Sequence, residues 1–204
     1  LVVTTVALPR LLESYAANAA RFGRLGDVEA LVIGDRKSVP ATAEYVAGIA
    51  RQWGFRAEYV DVAAQRDWLT RFDGLEEMIP YDSDNRRNVG FLMALERGAD
   101  ILLSLDDDNY ATEEDFYAGH AVAGRTITGP VVRSSTGWFN VCSMMSNDAN
   151  LLIHPRGFPV GKRTQPAEIT TETSDAFIAA NAGLWIEDPD LDAVTRLYRD
   201  VKTT

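Results

Sequence analysis

Strands and helices alternate through the first third of the chain, and that alternation restricts the fold more than any other feature. Leu1 to Val6 is a short β-branched run followed by Pro9, which reads as a buried strand leaving into a loop. Leu11 to Phe22 is rich in alanine and has Gly23 and Gly26 behind it, the pattern of a helix and its stop. Ala30 to Ile33 is a second apolar strand, ended by Gly34-Asp35. Val39-Pro40 opens another helix, with Val46, Ile49, Ala50 and Trp53 at helical spacing and Gly54 as its end. Phe55 to Val62 reads as a third strand. Repeated strand–helix–strand units predict an α/β, Rossmann-like domain with a mostly parallel central sheet flanked by helices.

Beyond this, Gln65 to Phe72 reads as a short helix and Pro80 to Asp84 as a loop. Asn85 to Arg97 is a clear helix, with Phe91, Leu92, Leu95 and Ala99 expected along its buried face and Gly98 at its end. Ile101 to Leu105 reads as a strand buried on both faces. It runs directly into Asp106-Asp107-Asp108-Asn109. Thr112 is expected to begin a short helix with two acidic residues in its first turn. Thr126 to Val132 is a further strand. Ser134 to Asn150 has no assignable period, and His154 to Pro159 is a loop by composition. Ala176 to Ile186 reads as strand or buried helix. Leu191 to Val201 has helical spacing at Val194, Leu197, Tyr198 and Val201.

With 46% hydrophobic and 25% charged residues, the 204-residue chain matches an ordinary globular protein, and one domain over 1–204 is expected. A net charge of −10 argues against nucleic acid or an anionic membrane as partner. No apolar run approaches the roughly 18 residues of a membrane-spanning helix. The single cysteine, Cys142, excludes an internal disulfide and suits a reducing, cytoplasmic setting. The chain starts Leu1-Val2-Val3 with no visible secretory signal, and we expect it to be trimmed at its termini.

The acidic triplet carries the strongest chemical signal. Ionised carboxylates this close repel one another unless a cation lies between them. Asp106 and Asp108 are two apart, so an extended segment turns both to one side. Hard divalent cations such as Mg²⁺ favour such oxygen ligands and leave positions for substrate phosphates. A solvated acidic turn is the plainer alternative. A helix–loop–helix calcium loop fails, because its sixth and twelfth positions would be Ala111 and Tyr117. A phosphatase with Asp106 as nucleophile stays open.

Arg86 and Arg87, at the start of the helix that leads to the acidic strand, are placed to meet an anion with guanidinium groups and backbone N–H. Surface salt bridges to Asp82 and Asp84 are the alternative. Asp35 follows the second strand, where a carboxylate can accept hydrogen bonds from a nucleoside or simply close a turn. Thr4 and Thr5 end the first strand and could line the same cleft. His154 is a candidate metal or phosphate contact, whereas His120 reads as structural. Arg156, Lys162 and Arg163 could serve a diphosphate or be solvated. Glycine-rich dinucleotide or phosphate loops and a nucleophile elbow are absent from the sequence.

Four strings, Asn88-Val89-Gly90, Asp106-Asp107-Asp108-Asn109, Arg156-Gly157-Phe158-Pro159 and Gly183-Leu184-Trp185-Ile186-Glu187-Asp188-Pro189-Asp190-Leu191-Asp192-Ala193, together resemble a GT-A nucleotide-sugar glycosyltransferase. They occur in the order seen in the reversibly glycosylated polypeptides, the UDP-arabinopyranose mutases, and the resemblance spans most of residues 1–193. It implies a GT-A fold, a nucleoside diphosphate sugar and Mn²⁺ or Mg²⁺. By that resemblance Asp106 and Asp108 would hold the metal, to which the loop residue His154 is added as a candidate, and Asp107 would touch sugar or ribose. Asp35 would meet the nucleoside, and Arg86 or Arg87 the nucleotide or its phosphates, with Arg156 of the basic cluster a further nucleotide-sugar candidate. Residues 1–110 would form the nucleotide half and 111–204 the acceptor half. Asp188 and Glu187 are the candidates for the base that activates an acceptor hydroxyl. The expected activity is metal-dependent glycosyl transfer from a UDP- or GDP-sugar to an unidentified acceptor. A pyranose/furanose mutase and a non-catalytic nucleotide-sugar-binding subunit are the alternatives, and a homo-oligomer is allowed. The stretch from Arg133 to Ser143 does not supply the arginine that becomes glycosylated in that family.

Overall fold

Four parallel strands organise the N-terminal part of the chain: β1 (Val2–Thr5), β2 (Glu29–Gly34), β3 (Arg56–Val60) and β4 (Ser104–Leu105), in the spatial order β3-β2-β1-β4. The computed structural model describes residues 1–203, which fall into two compact units, the first Leu1–Ala121 and the second from Val122 onward. In the first unit Val3 pairs with Val32 on one side and Leu105 on the other, and Val32 pairs in turn with Tyr59. Alternate strand residues face opposite sides of the sheet. Val3 and Val32 accordingly pack with Leu11, Leu12, Tyr15 and Ile49 of helices α1 (Leu11–Arg21) and α2 (Thr42–Trp53). Val2, Leu31 and Ile33 pack on the other face, against Leu69 of α3 (Val62–Leu69) and Val89 and Met93 of α5 (Arg87–Glu96). A one-turn helix, α4 (Leu75–Met78), lies between α3 and α5 in sequence. Both faces of the sheet are covered, as the α/β reading predicts.

Three expectations for this unit need correction. The buried stripe of α5 is Val89, Gly90 and Met93, whereas Leu95 is 57% exposed. Gly90 causes this. A Cβ there would fall 2.5 Å from Val2 Cγ1 and 2.8 Å from Ile33 Cγ1, so the helix backbone itself rests on the sheet. The strand read over Ile101–Leu105 pairs only at Ser104 and Leu105, and only with β1. Having one neighbour, it is an edge strand, with Ser104 exposed and Leu105 half-buried. The helix expected from Thr112 begins instead at Phe116, as α6 (Phe116–His120). The Asp115 carboxylate caps it by accepting from the Ala118 N–H at 3.0 Å. The Asn18 side chain meanwhile holds the Thr112 and Glu114 carbonyls outside any helix, at 3.0 and 2.6 Å.

The second unit is built on an antiparallel ribbon of β5 (Thr126–Ser134) and β6 (Ile169–Phe177), in register from Thr126–Phe177 to Ser134–Ile169. A short helix, α7 (Ala193–Tyr198), follows. The carboxylate of Asp192 caps α7 by accepting from the Val194 and Thr195 N–H groups at 2.9 and 3.2 Å. The apolar spacing read across 194–201 does not mark a buried face. Val194, Leu197 and Tyr198 are exposed, and Val201, beyond the helix, is buried with Cys142, Ile153 and Leu191. No described helix is long and apolar enough to cross a membrane.

Candidate functional site

The chain order reverses beside β1. From β1 it steps outward to β2 and β3, then returns past β1 to β4. Ligands of open parallel sheets bind outside the carboxyl ends of the strands at such a reversal, because the diverging loops leave a crevice there. In this protein a cleft of about 500 Å³ opens at that place, at the ends of β1, β2 and β4. Thr4, Thr5, Asp35, Arg87 and the whole triplet Asp106–Asp108 line it. With Arg86 at its border, eight residues read from sequence as site candidates therefore line one cleft, and six of them stand at the carboxyl ends of three strands.

Arg87 ties this constellation together. Its Nη1 donates to Ser104 Oγ at 2.8 Å, and its Nη2 to Asp106 Oδ1 at 2.5 Å and Thr4 Oγ1 at 3.3 Å. Its Nε is buried and has no hydrogen-bond partner. Thr5 Oγ1 lies 2.8 Å from Asp107 Oδ2 as donor, and Asn109 Nδ2 donates to Asp108 Oδ1 at 2.8 Å. Each carboxylate of the triplet thus has its own protein partner, which relieves part of the mutual repulsion expected from the sequence.

Asp35 sits where β2 ends. Its backbone N–H donates to Ser38 Oγ, and Ser38 Oγ donates to the Thr5 carbonyl, both at 2.8 Å. The Asp35 carboxylate accepts from the N–H groups of Arg36 at 2.7 Å and Ser83 at 3.3 Å. Arg36 also reaches Asp82 at 2.5 Å, across the lip of the cleft. Asp82 has φ 52°, a left-handed conformation that its short polar side chain tolerates.

Arg86 and Arg87 part company. Although Arg86 borders the cleft, it is fully buried. Its Nε and Nη2 donate to Gln65 Oε1 at 3.0 and 2.6 Å, and its Nη1 to the Ile79 carbonyl at 3.1 Å. Gln65, also fully buried, donates onward to the carbonyls of Gly34 and Val60 at 2.7 and 2.8 Å. The guanidinium stacks 4.2 Å from the Tyr81 ring centroid. Arg86 therefore clamps the ends of β2 and β3. Sequence reasoning missed Gln65 and Tyr81, because a lone glutamine in a helix carries no outward sign of burial.

The remaining candidates belong to the second unit. Arg156 is exposed and pairs with Asp190 at 2.7 Å. Asp188 pairs with Arg196 at 2.8 Å. Glu187, at φ 71°, exchanges two backbone hydrogen bonds with Thr203, at 2.9 and 3.0 Å. His154 is almost buried, its ring 5.0 Å from that of Phe158. Burial, aided by the nearby Arg163 charge, pushes its imidazole below the usual range, while Asp192 works in the opposite direction. Asp192 pairs with Arg163 at 3.0 Å. Burial opposes ionisation of Asp192, but its hydrogen bonds from Thr195 and Arg163 hold its carboxyl below the ordinary value.

A second cavity, of about 420 Å³, opens at the opposite end of the first unit's sheet, beside Leu1, Arg24, Glu29 and Arg97. Three of the charged residues lining it are paired: Arg24 with Asp115, and Arg97 with Glu29 and also with Glu58. The carboxyl-end cleft is the better ligand site on position and chemistry.

Among the described residues no group of three or more His, Cys, Asp or Glu side chains is arranged to hold a metal ion. The triplet nevertheless offers hard oxygen donors at a cleft, which suits Mg²⁺ or Mn²⁺ in the manner of an ion held by one or two carboxylates and completed by substrate phosphates. No protein-family model matches the chain, and no curated protein matches it significantly.

Proposed function

We propose that the first unit binds a nucleoside diphosphate sugar and that the chain is a metal-dependent glycosyltransferase using a UDP- or GDP-sugar. One observation carries this reading: a cleft at the reversal of strand order gathers Asp35, Arg87 and three carboxylates beyond β4. The resemblance of the four sequence strings to nucleotide-sugar enzymes supports it. In this proposal Asp35 accepts hydrogen bonds from the nucleoside and Arg87 offers positive charge to the diphosphate. Asp107, steadied by Thr5, meets sugar or ribose. Asp106 and Asp108 would hold Mn²⁺ or Mg²⁺, which neutralises negative charge on the departing diphosphate. In the transfer, the acceptor oxygen bonds to the anomeric carbon while the bond from that carbon to the diphosphate oxygen breaks with its electron pair. The acceptor proton must pass to a base as this bond forms.

The Gly183–Ala193 string favours a second reading, a pyranose/furanose mutase. Product analysis after incubation with UDP-sugars and Mn²⁺ separates them. Free UDP with a new glycoside supports transfer, and an isomerised nucleotide sugar supports the mutase. UDP binding without turnover of any donor leaves a sugar-nucleotide-binding subunit. Absence of binding by every nucleoside diphosphate, with and without Mn²⁺, overturns the whole reading.

A further inference from the structure

Resting on the nucleotide-sugar reading, we infer that Arg87 is an internal counter-ion that competes with a divalent cation for Asp106, so that the free protein resists metal until a diphosphate draws the guanidinium away. Arg87 reaches into the cleft from the first turn of α5, with a side chain only 22% exposed. Its contact with Asp106 Oδ1 is 2.5 Å, and Ser104 and Thr4 hold its other donors. The guanidinium thus engages Asp106 Oδ1, one of the oxygens an ion would use. It also places a positive charge beside any incoming cation, and the two repel at that short range.

The hold is incomplete. Nε is buried with no partner, so the side chain leaves one donor unsatisfied in this arrangement. A diphosphate offers several anionic oxygens to the same fork and so provides a better set of acceptors. Transfer of Arg87 to phosphate frees Asp106, and metal and diphosphate then bind with positive coupling. Linkage makes this coupling reciprocal. Arg87 bonds to neither Asp107 nor Asp108, whose hydrogen bonds come from Thr5 and Asn109.

The test is Mn²⁺ alone, titrated into the full chain and followed by the electron paramagnetic resonance of free Mn²⁺. Arg87→Gln removes the competing charge, and we expect it to bind Mn²⁺ about tenfold more tightly than the unaltered protein, a difference of about 1.4 kcal/mol. Arg87→Lys keeps the charge without the fork and is expected to fall between the two. It carries the test if circular dichroism shows that Arg87→Gln does not fold. Asp106→Asn in the Arg87→Gln background should abolish the gain. Equal or weaker Mn²⁺ binding by folded Arg87→Gln, or by Arg87→Lys in its place, overturns the inference. UDP titrations of the unaltered protein in Mn²⁺ address the underlying reading separately. UDP binding with no gain in Arg87→Gln leaves that reading standing and removes only the competition.

Discussion

Two adjacent arginines with opposite duties show how much one residue step matters. Neighbouring helix positions point about 100° apart, so two adjacent arginines at a helix start enter different surroundings. Arg86 lies three, four and seven residues before Val89, Gly90 and Met93, on the stripe that meets the sheet. Arg87 lies off it. The sequence showed an arginine pair but not which member was inside, because the stripe is disguised by a glycine. Replacing Arg86 by Met leaves the buried acceptors of Gln65 and Ile79 without donors. We expect it to lower unfolding free energy by about 2–4 kcal/mol in urea titrations. A loss below about 0.5 kcal/mol, the scale of an ordinary surface change, contradicts the clamp. Arg87→Gln should cost less stability than Arg86→Met, because its partner Asp106 is 65% exposed.

At the scale of elements, apolar periodicity located β1, β2, β3, α1 and α2 closely, because their side chains are buried where the pattern is densest. The pattern failed where a backbone, an edge or an exposed ribbon decides the structure. Gly90 makes α5 lie close on β1 and β2 without contributing to any hydrophobic count. Gly90→Ala gains helix propensity of about 1 kcal/mol, yet its Cβ meets Val2 and Ile33. Overpacking of this kind costs about 1–3 kcal/mol, so we expect a net loss of stability in urea unfolding. A stabilised variant contradicts the close approach. β6 was missed because most of its side chains are exposed and polar, which removes the apolar alternation that marks a half-buried strand. Thr170, Thr171 and Thr173, β-branched residues in close succession, were the legible trace of it. β4 was overestimated because an apolar run does not reveal how many neighbours a strand has.

Across the whole chain, both histidines are held below their usual pKa by burial: His120 in the first unit and His154 in the second. In the unfolded chain they bind protons more readily, so the unfolded state gains protons as the pH falls through about 6.5. Their contribution to stability is complete above that pH and is lost progressively below it. Between pH 7 and 5 we expect unfolding free energy to decline. The double variant His120→Gln/His154→Gln should flatten that decline, as measured by urea denaturation at each pH. An unchanged slope contradicts the burial of the two rings.

The candidate site was legible as a set of residue types because Asp35, Arg87 and Asp106–Asp108 all stand at the ends of elements the sequence marks. Its wiring was not, since hydrogen bonds such as Thr5 to Asp107 join residues 102 apart in sequence. The direct check of the central claim is backbone amide NMR during titration with UDP or GDP in the presence of Mg²⁺, which perturbs the spectrum less than Mn²⁺. Shifts clustered at Thr5, Asp35, Ser83 and Asp107 are the expected result. No shifts with either nucleotide, or shifts confined to Leu1, Glu29 and Arg97 at the other end of the sheet, would contradict it.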